Sequence, residues 1–243
     1  VVSIKPEQKI RVENAVIYED DALIAINKPS GLAVHGGSGL NFGLIELLRS
    51  SRPEAKFLEL IHRIDKETSG IILIAKKRKA LVEIHQQMRK RSIHKKYQVI
   101  VNGRWEKKQL IVDLNLLKSS LSDGSKKVKV LPKHYDENGS KDSRSVFFLR
   151  KTFTNLSVLD VKLVTGRTHQ IRVHLSHLGF PIVGDDKYGN FSLNKIQKKF
   201  GFKRMFLHAS ELGFVHPLTE KNLFLSAPLP KEFIKLQEYA KKH

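Results

Sequence analysis

Apolar residues in this chain fall mainly in short β-branched runs that turn residues separate. Residues 16–18 and 22–26 are two such runs, and the acidic turn 19–21 joins them. Residues 71–75, Ile-Ile-Leu-Ile-Ala, form a third run, which no polar residue interrupts. Short runs of this composition predict strands, and an uninterrupted run predicts a buried strand.

The second half of the chain continues the same pattern. Further runs predict strands over 96–102, 146–148 and 156–161, and a hairpin over 212–225 that turns at 217–220.

Helical spacing of apolar residues is confined to a few segments. It predicts helices over 43–51, 79–90 and 231–242, a change from strand to helix within 165–175, and a basic, partly helical segment over 187–203. Strands dominate and do not alternate regularly with helices, which predicts an α+β fold. Since the sequence shows no internal repeat and no clean linker, we expect one domain over 1–243.

Residues 119–145 are polar and rich in Lys, Asp, Gly and Ser. One interpretation is a set of mobile strands and loops that project from the core and contact backbone phosphates. The other is an ordinary solvated hairpin. The sequence leaves both open.

The charge balance narrows the class of partner. Lys and Arg number 44 against 24 acidic residues, which gives a formal charge of +20. Such an excess predicts attraction to a polyanion, and the distribution of the basic residues favours nucleic acid. The sequence has no apolar run of ~18 residues and no dominant basic amphipathic helix, so we expect no membrane role.

The chain contains no cysteine, which excludes disulfides and thiolate metal sites. Nothing in the sequence argues for secretion, and we expect a cytoplasmic protein. The N-terminus starts on Val1 and has no signal-peptide core. We interpret it as the start of a truncated chain with a segment missing upstream.

The densest chemistry lies in residues 62–70, His-Arg-Ile-Asp-Lys-Glu-Thr-Ser-Gly. Asp65 stands there among cationic groups, and nearby positive charge favours the ionised form of a carboxylate. An ionised, oriented carboxylate is a candidate nucleophile. Arg63 would share a face with Asp65 on an extended segment. Elsewhere, Tyr97 begins a strand and Arg172 ends a dense Gly-Arg-Thr-His-Gln-Ile-Arg string.

These residues provide one acid, one phenol and one guanidinium, with no clear second acid. Ordinary glycoside hydrolysis uses two carboxylates that flank the bond. A lone carboxylate with a cationic partner instead suits attack at a sugar carbon from which the leaving group detaches and to which it is then reattached.

The motifs closely resemble those of the RluA family of RNA pseudouridine synthases. The match begins with His62-Arg63-Ile64-Asp65 through Ala75-Lys76, where Ile64 replaces the usual Leu. Further stretches on both sides of this motif are similar to the family and occur in the family's order: 18–21, 27–31, 96–97, 165–175, 207–209, 216–217 and 227–228. Residues 34–43 and 57–60 look most like the RluC branch, whose members modify large-subunit ribosomal RNA and carry an S4-type RNA-binding domain ahead of the catalytic domain. The missing upstream segment would be that domain.

The resemblance implies a fold and a reaction. The fold would be a mixed, mostly antiparallel sheet with flanking helices and a central RNA-binding cleft. Asp65 would be the nucleophile that attacks C1′ of a uridine, or would promote formation of a glycal. The uracil would detach, turn and reattach through C5 without water or any cofactor. The partner would be ribosomal RNA and the protein a monomer.

The resemblance also assigns roles to other residues. Arg172 would pair with and orient Asp65, and Tyr97 would pack against the uracil ring and take part in removing the C5 proton. Arg63 would enter the RNA stack where the flipped nucleotide was, and Ile171 would form part of the apolar floor. His62 would be a supporting hydrogen bonder. RNA contacts are also expected at the motif positions Thr68 and Arg167.

Simpler explanations exist for several of these residues. A Tyr on a strand is by default a packing residue, Ile171 in a strand-like string is equally explained as core, and Arg63 or Arg172 could bind phosphate or another carboxylate.

A metal site is a weaker interpretation. His169, His174 and His177 lie close in sequence, but no cysteine or acid at ligand spacing completes a set. We expect no metal.

Two other functions remain open. A non-catalytic RNA-binding or ribosome-assembly module could use the same scaffold and charge. An RNA glycosylase or nucleoside hydrolase would need an activated water and a second acid or a metal, which disfavours it.

Overall fold

A computed structural model of the chain describes residues 6–37, 42–120, 126–135 and 137–242. The elements follow one another in the order α1 (Pro6–Glu13), β1 (Val16–Glu19), β2 (Leu23–Lys28), α2 (Leu44–Ser51), β3 (Glu59–Leu60), β4 (Ser69–Ala75), α3 (Arg78–Arg89), β5 (His94–Asn102), β6 (Gln109–Ser120), β7 (Lys126–Leu131), β8 (Lys141–Thr152), β9 (Leu156–Leu163), α4 (Gln170–His177), α5 (Phe191–Lys199), β10 (Leu207–Val215), β11 (Asn222–Ser226) and α6 (Lys231–Lys242).

The chain divides into two compact units. Unit 1 comprises the described residues up to His94 together with His208–Pro228, and unit 2 comprises Lys95–Leu207 together with the described residues from Leu229 onward. The expectation of one catalytic domain over 1–243 stays a prediction.

Unit 1 is built on a sheet with the strand order β1-β2-β4-β10. Strands β1, β2 and β4 pair antiparallel, β10 pairs parallel with β4, and β3 and β11 add antiparallel partners to β4 and β10. Every residue of β4 is buried, as its uninterrupted apolar run predicts.

The buried strands of unit 1 separate two cores. Leu23, Ala25 and Leu73 pack with Ala80 and Ile84 of α3. The intervening positions of β2 and β4, Ile24, Ile26, Ile72 and Ile74, pack with residues of α2. Successive side chains of a strand point to opposite faces, so a strand covered by helices on both faces must be apolar throughout. This explains the continuous runs in the sequence.

Unit 2 is an antiparallel sheet with the order β5-β9-β8-β6-β7. One face packs Val99 and Val101 of β5 against Ile171 and Leu175 of α4. The opposite face includes Ile100, which packs in a cluster with Phe233 and Leu236 of α6.

Most expected elements are confirmed within one to three residues, including the closing helix, whereas the first strand of the 212–225 hairpin, β10, begins at Leu207, five residues earlier than expected. Three elements were not predicted: α1, β3 and β6, a strand of twelve residues over Gln109–Ser120. Helix α1 is short and mostly polar, and β3 has two residues, so neither produces a clear period. Strand β5 begins at His94, two residues before the predicted strand, and its pairing with β9 begins at Lys96.

The polar stretch 119–145 contributes strands to the sheet of unit 2. Strand β7 pairs with β6: Leu131 lies opposite Asn115 at one end and Lys126 lies opposite Ser120 at the other. Val128 of β7 is buried against Val173 and Tyr188. Of the two interpretations of this stretch, the hairpin therefore agrees with residues 126–131, which form a strand paired antiparallel with β6. Residues 121–125 and Asp136, like 38–41 in the glycine-containing loop, lie outside the described residues.

The helices of the described ranges include none that is long and apolar enough to span a bilayer.

Candidate active-site residues

Asp65 lies in the turn that enters the buried strand β4. The backbone N–H of Thr68 donates to the carbonyl oxygen of Asp65 over 3.1 Å, and the Thr68 side chain is buried. Asp65 is half-buried, Arg63 is exposed, and Ile64 between them is buried in the core. This alternation agrees with the expectation that Arg63 and Asp65 share the outer side of the segment.

The buried ammonium of Lys28 holds this turn. Lys28 is 0% exposed, and its Nζ donates to the carbonyl oxygens of Pro29, Leu32 and Lys66 over 3.0, 2.7 and 2.9 Å. A buried charge is tolerated only when it is paired or well hydrogen-bonded. Lys28 therefore joins the loop after β2 to the residue that follows Asp65.

The same loop makes two further bonds to the turn. The N–H of Gly31 donates to Lys66 O over 2.9 Å, and Ser30 Oγ donates to Glu67 O over 2.6 Å. Three hydrogen-bond donors from residues 28–31 thus fix the backbone that carries the Asp65 carboxylate. The sequence identified 28–31 as a loop but not as the support of the turn.

Two more motif residues secure the ends of the turn. His62 Nε2 accepts the backbone N–H of Leu73 over 3.1 Å, so it acts as a hydrogen-bonding residue in the support of β4. Gly70 has φ 109°, and a Cβ there would lie 2.2 Å from the carbonyl oxygen of Ala209. Glycine is required where β4 and β10 approach this closely.

In unit 2, Arg172 makes a buried ion pair with Asp185. Arg172 Nε and Nη2 donate to the two carboxylate oxygens of Asp185, each over 2.8 Å, and the side chains are 8% and 1% exposed. Bidentate pairs of this kind fix the plane of the guanidinium. Sequence reasoning missed Asp185, which it saw only as part of a loop, and the expected pairing of Arg172 with Asp65 stays a prediction.

Asp185 is held in its ionised form. Burial acts to raise the pKa of Asp185, but the hydrogen bonds and charge of Arg172, together with the N–H groups of Tyr188 and Lys187, outweigh burial and hold the pKa below its usual value. The two N–H groups donate to Asp185 Oδ1 over 3.0 and 2.8 Å.

Tyr188 forms the other wall of the Arg172 site. Its ring centre lies 5.2 Å from Arg172 Cζ, a cation–π contact. Its hydroxyl oxygen accepts the N–H of Val128 over 3.1 Å and lies 2.8 Å from His169 Nδ1. Tyr188 therefore connects strand β7 to the start of α4, where His169 has φ 55°.

A buried polar chain lies beneath α4, and its directions can be assigned. Ser143 Oγ donates to Leu114 O over 2.8 Å, so the Ser143 oxygen accepts from His174 Nε2, 2.8 Å away. Gln170 Nε2 donates to Ser145 Oγ, whose hydroxyl hydrogen is then directed to His174 Nδ1, 3.1 Å away. His174 is the neutral Nε2–H tautomer in this arrangement.

Burial, followed by the charge of the nearby His177, lowers the pKa of His174 to about 4 against an opposing effect of Asp113. Both ring nitrogens of His174 face serine hydroxyls. Among the described residues, no three His, Asp or Glu side chains are grouped as metal ligands.

The remaining predicted residues also lie in unit 2. Tyr97 is half-buried on β5, opposite Val161 of β9. Ile171 is 4% exposed and packs in the core, but on a helix, so its interpretation as part of a strand-like string is wrong. Arg167 donates from Nε to Asp142 O and from Nη2 to Asp142 Oδ1, over 2.9 and 3.1 Å.

Lys95 adds a second cation near Arg167. Burial lowers the pKa of Lys95, and the charge of Arg167 lowers it further. Two cationic groups that repel each other electrostatically favour an anion near them.

The predicted residues thus fall into two sets. The structure brings His62, Arg63, Asp65 and Thr68 together on the turn of unit 1, and it places Tyr97, Arg167, Ile171 and Arg172 in unit 2.

Residues 22–177 match the family model described as RNA pseudouridylate synthase. Curated relatives include two proteins named ribosomal large subunit pseudouridine synthase C. The one from Haemophilus influenzae is 48% identical over 90% of this chain and 66% of its own length. The one from Vibrio cholerae is 46% identical over 93% and 69%. The chain thus spans about two thirds of the length of these relatives.

Among solved structures, human RNA pseudouridylate synthase domain containing 4 has a TM-score of 0.77 and 24% identity, and covers 97% of both chains. Human RNA pseudouridylate synthase domain containing 1 has a TM-score of 0.74 and 23% identity, and covers 96% of both. These likenesses confirm the expected α+β pseudouridine synthase fold, and the curated relatives confirm the expected family and branch.

Proposed function

The chain belongs to the RNA pseudouridylate synthase family, and we propose that it isomerises uridine to pseudouridine in large-subunit ribosomal RNA. The names of the relatives support this RNA as the substrate. The formal charge of +20 supports it independently, because a polyanion of this size is held mainly through its phosphates.

The observation that carries the proposal is the rigid attachment of Asp65. The turn 65–68 is fixed by three donors from 28–31, which include the buried ammonium of Lys28. A carboxylate that is positioned before substrate binds loses little entropy in the reaction. We assign Asp65 as the nucleophile, or as the base that promotes a glycal.

The proposed isomerisation balances without water or cofactor. The C1′–N1 bond breaks, the uracil turns, and a C1′–C5 bond forms. The C5 proton is lost and N1 gains one. Arg172 would orient the carboxylate, and Tyr97 would pack against the uracil ring and assist removal of the C5 proton.

The other motif residues would hold the RNA. Arg63, which is exposed beside the Asp65 turn, would fill the place of the flipped nucleotide, since a planar cation stacks well between bases. Arg167 would contact RNA together with Lys95. His62 and Thr68 would hold the turn, and Ile171 would support the floor under the base.

Mapping pseudouridine in RNA from cells with and without the protein tests this proposal. We expect specific large-subunit positions to lose pseudouridine and to regain it when the gene is restored. Loss of pseudouridine at transfer RNA or small-subunit sites would contradict the proposed substrate. An unchanged map with retained RNA binding would instead support the non-catalytic RNA-binding module.

A further inference from the structure

Unit 2 contains a cavity of about 420 Å³ between α5, α6 and the loop that follows β5. Ligand pockets typically measure ~300–1,000 Å³. Residues of α5 and α6 form apolar walls, and residues 102–104 and 154–156 form a polar edge.

Aromatic rings form one corner of the cavity. The Tyr239 ring lies 5.2 Å from that of Phe200 and 5.5 Å from that of Phe202. Phe200, the C-cap residue of α5, is 56% exposed, and Ile196, one turn earlier on the same helix, is 51% exposed. Large apolar side chains that line one cavity and remain this exposed indicate a binding surface.

One residue of the cavity lining also carries an unused hydrogen-bond acceptor. Gln197, which lines it, donates from Nε2 to Asn102 Oδ1 over 3.0 Å, and this bond fixes the amide. Its Oε1 is buried and has no hydrogen-bond partner. Because an unpaired buried acceptor is costly, a ligand with an N–H group would gain more here than a purely apolar one.

The charge around the cavity is positive. Residues 191–204 contain four lysines and one arginine and no acidic residue, and Arg104 lies on the cavity edge. An apolar peptide would cover the rings but would leave both the acceptor and this charge unused. A nucleotide has a flat π-face, base N–H donors and a phosphate.

We propose that this cavity binds one unstacked base of an RNA. The base packs against Phe200 and Tyr239, one of its N–H groups donates to Gln197 Oε1, and its phosphates contact Arg104 and the lysines of α5. Stacking on aromatic side chains tolerates every base, because each has a π-face. The cavity therefore holds RNA and does not react with it, and it needs neither uracil nor Asp65.

The test uses a hexamer of cytidine with a central 2-aminopurine, which stacks only weakly on its pyrimidine neighbours and whose fluorescence falls when the base stacks on a ring. Quenching reports insertion of the base, and anisotropy of an end label reports overall binding. We expect the full chain to quench the probe and Ile196→Glu to weaken binding about tenfold. The matched control is Ile234→Glu, because Ile234 on α6 is 50% exposed and does not line the cavity.

Both variants add one negative charge, so an equal loss of affinity in both would overturn the proposal, as would no loss in either. Phe200→Ser and its control Phe191→Ser provide a second pair, should a glutamate unfold unit 2. Phe191 is 63% exposed on α5 and does not line the cavity. If Ile196→Glu instead abolished self-association in ultracentrifugation and left probe binding unchanged, the cavity would belong to a second copy of the chain and the proposal would be wrong.

Base binding in this cavity is a separate property from the isomerase reaction. The probe contains no uridine, so a failed isomerase assay leaves this test unaffected, and a failed probe assay leaves the isomerase proposal standing.

Discussion

The Asp65 turn of unit 1 and the Arg172 site of unit 2 each hold one charged group, and they do so by different means. The turn is fixed by a buried ammonium that binds backbone carbonyl oxygens. Arg172 is fixed by a buried carboxylate and an aromatic ring. The first arrangement orients backbone and leaves the Asp65 side chain half-buried, whereas the second encloses the functional side chain itself. The two sites should therefore respond differently to substitution and to pH.

The largest effect is expected where a buried ion pair loses one partner. Asp185→Asn leaves Arg172 with an uncompensated charge, which should cost about 4 kcal/mol of folding free energy and nearly all turnover. Urea denaturation measures the first and an isomerase assay the second. The adjacent Asp186→Asn is the control, because that carboxylate is 69% exposed and pairs only with Lys198 among its described contacts. Similar losses of stability and turnover in both variants would contradict the special role of the buried Asp185–Arg172 pair.

Lys28→Met should have a comparable but smaller effect. It leaves buried carbonyl oxygens without their donor, which should cost about 3 kcal/mol, and it frees the Asp65 turn. The control is Lys76→Met, since the Lys76 side chain is 28% exposed and bridges Glu19 near the surface, where ion pairs contribute about 0–1 kcal/mol. If Lys28→Met kept full stability and turnover, the turn would not depend on the ammonium.

Acid should lower the folding stability of unit 2 through protonation of His174. Its folded pKa is about 4, below that of an unfolded histidine, so the unfolded chain binds the extra proton first. Stability contributed by neutral His174 is complete above about pH 6.5 and falls by about 3 kcal/mol as the pH drops to 4. Denaturation curves at several pH values measure this slope. His174→Gln should flatten it and the exposed-site control His134→Gln should not; an unchanged slope in His174→Gln would contradict the assignment.

Tyr188→Phe should have the smallest effect. It keeps the ring beside Arg172 but removes the hydroxyl that accepts the N–H of Val128, at a cost of about 1 kcal/mol. The matched variant Tyr135→Phe alters an exposed side chain and should change nothing. A large loss of turnover with unchanged stability would show that the hydroxyl matters beyond its structural role.

The sequence predicted the parts of the molecule that depend on local pattern. Residues 23–26 of β2 and 71–75 of β4 are apolar at every position because helices cover both faces of these strands, and such continuous apolar runs can be read directly from the sequence. The Asp65 motif was recognisable because its residues are contiguous. Ile171 was assigned to a strand-like string because α4 is buried at six successive positions, Gln170–Leu175, and a helix that is buried all round shows no helical period in its sequence.

The supports of the site were not predictable in the same way. Lys28 looks like an ordinary polar residue at a strand end, and only the fold shows that its ammonium is enclosed by carbonyl oxygens from two loops. Asp185 lies thirteen positions from Arg172 in a loop beside another acid, Asp186, and nothing local distinguishes the buried carboxylate from the exposed one. Contacts distant in sequence leave no period to detect.

Whether Asp65 is the reacting carboxylate is tested by comparing Asp65→Asn with Glu67→Gln on RNA that carries tritium at C5 of uridine. Each variant removes one negative charge from the same turn, so changes in RNA affinity should be equal. We predict that Glu67→Gln releases tritium as the parent does and that Asp65→Asn binds RNA but releases no more than RNA alone. Tritium release by Asp65→Asn at the parental rate would contradict the assignment of Asp65 as the reacting carboxylate.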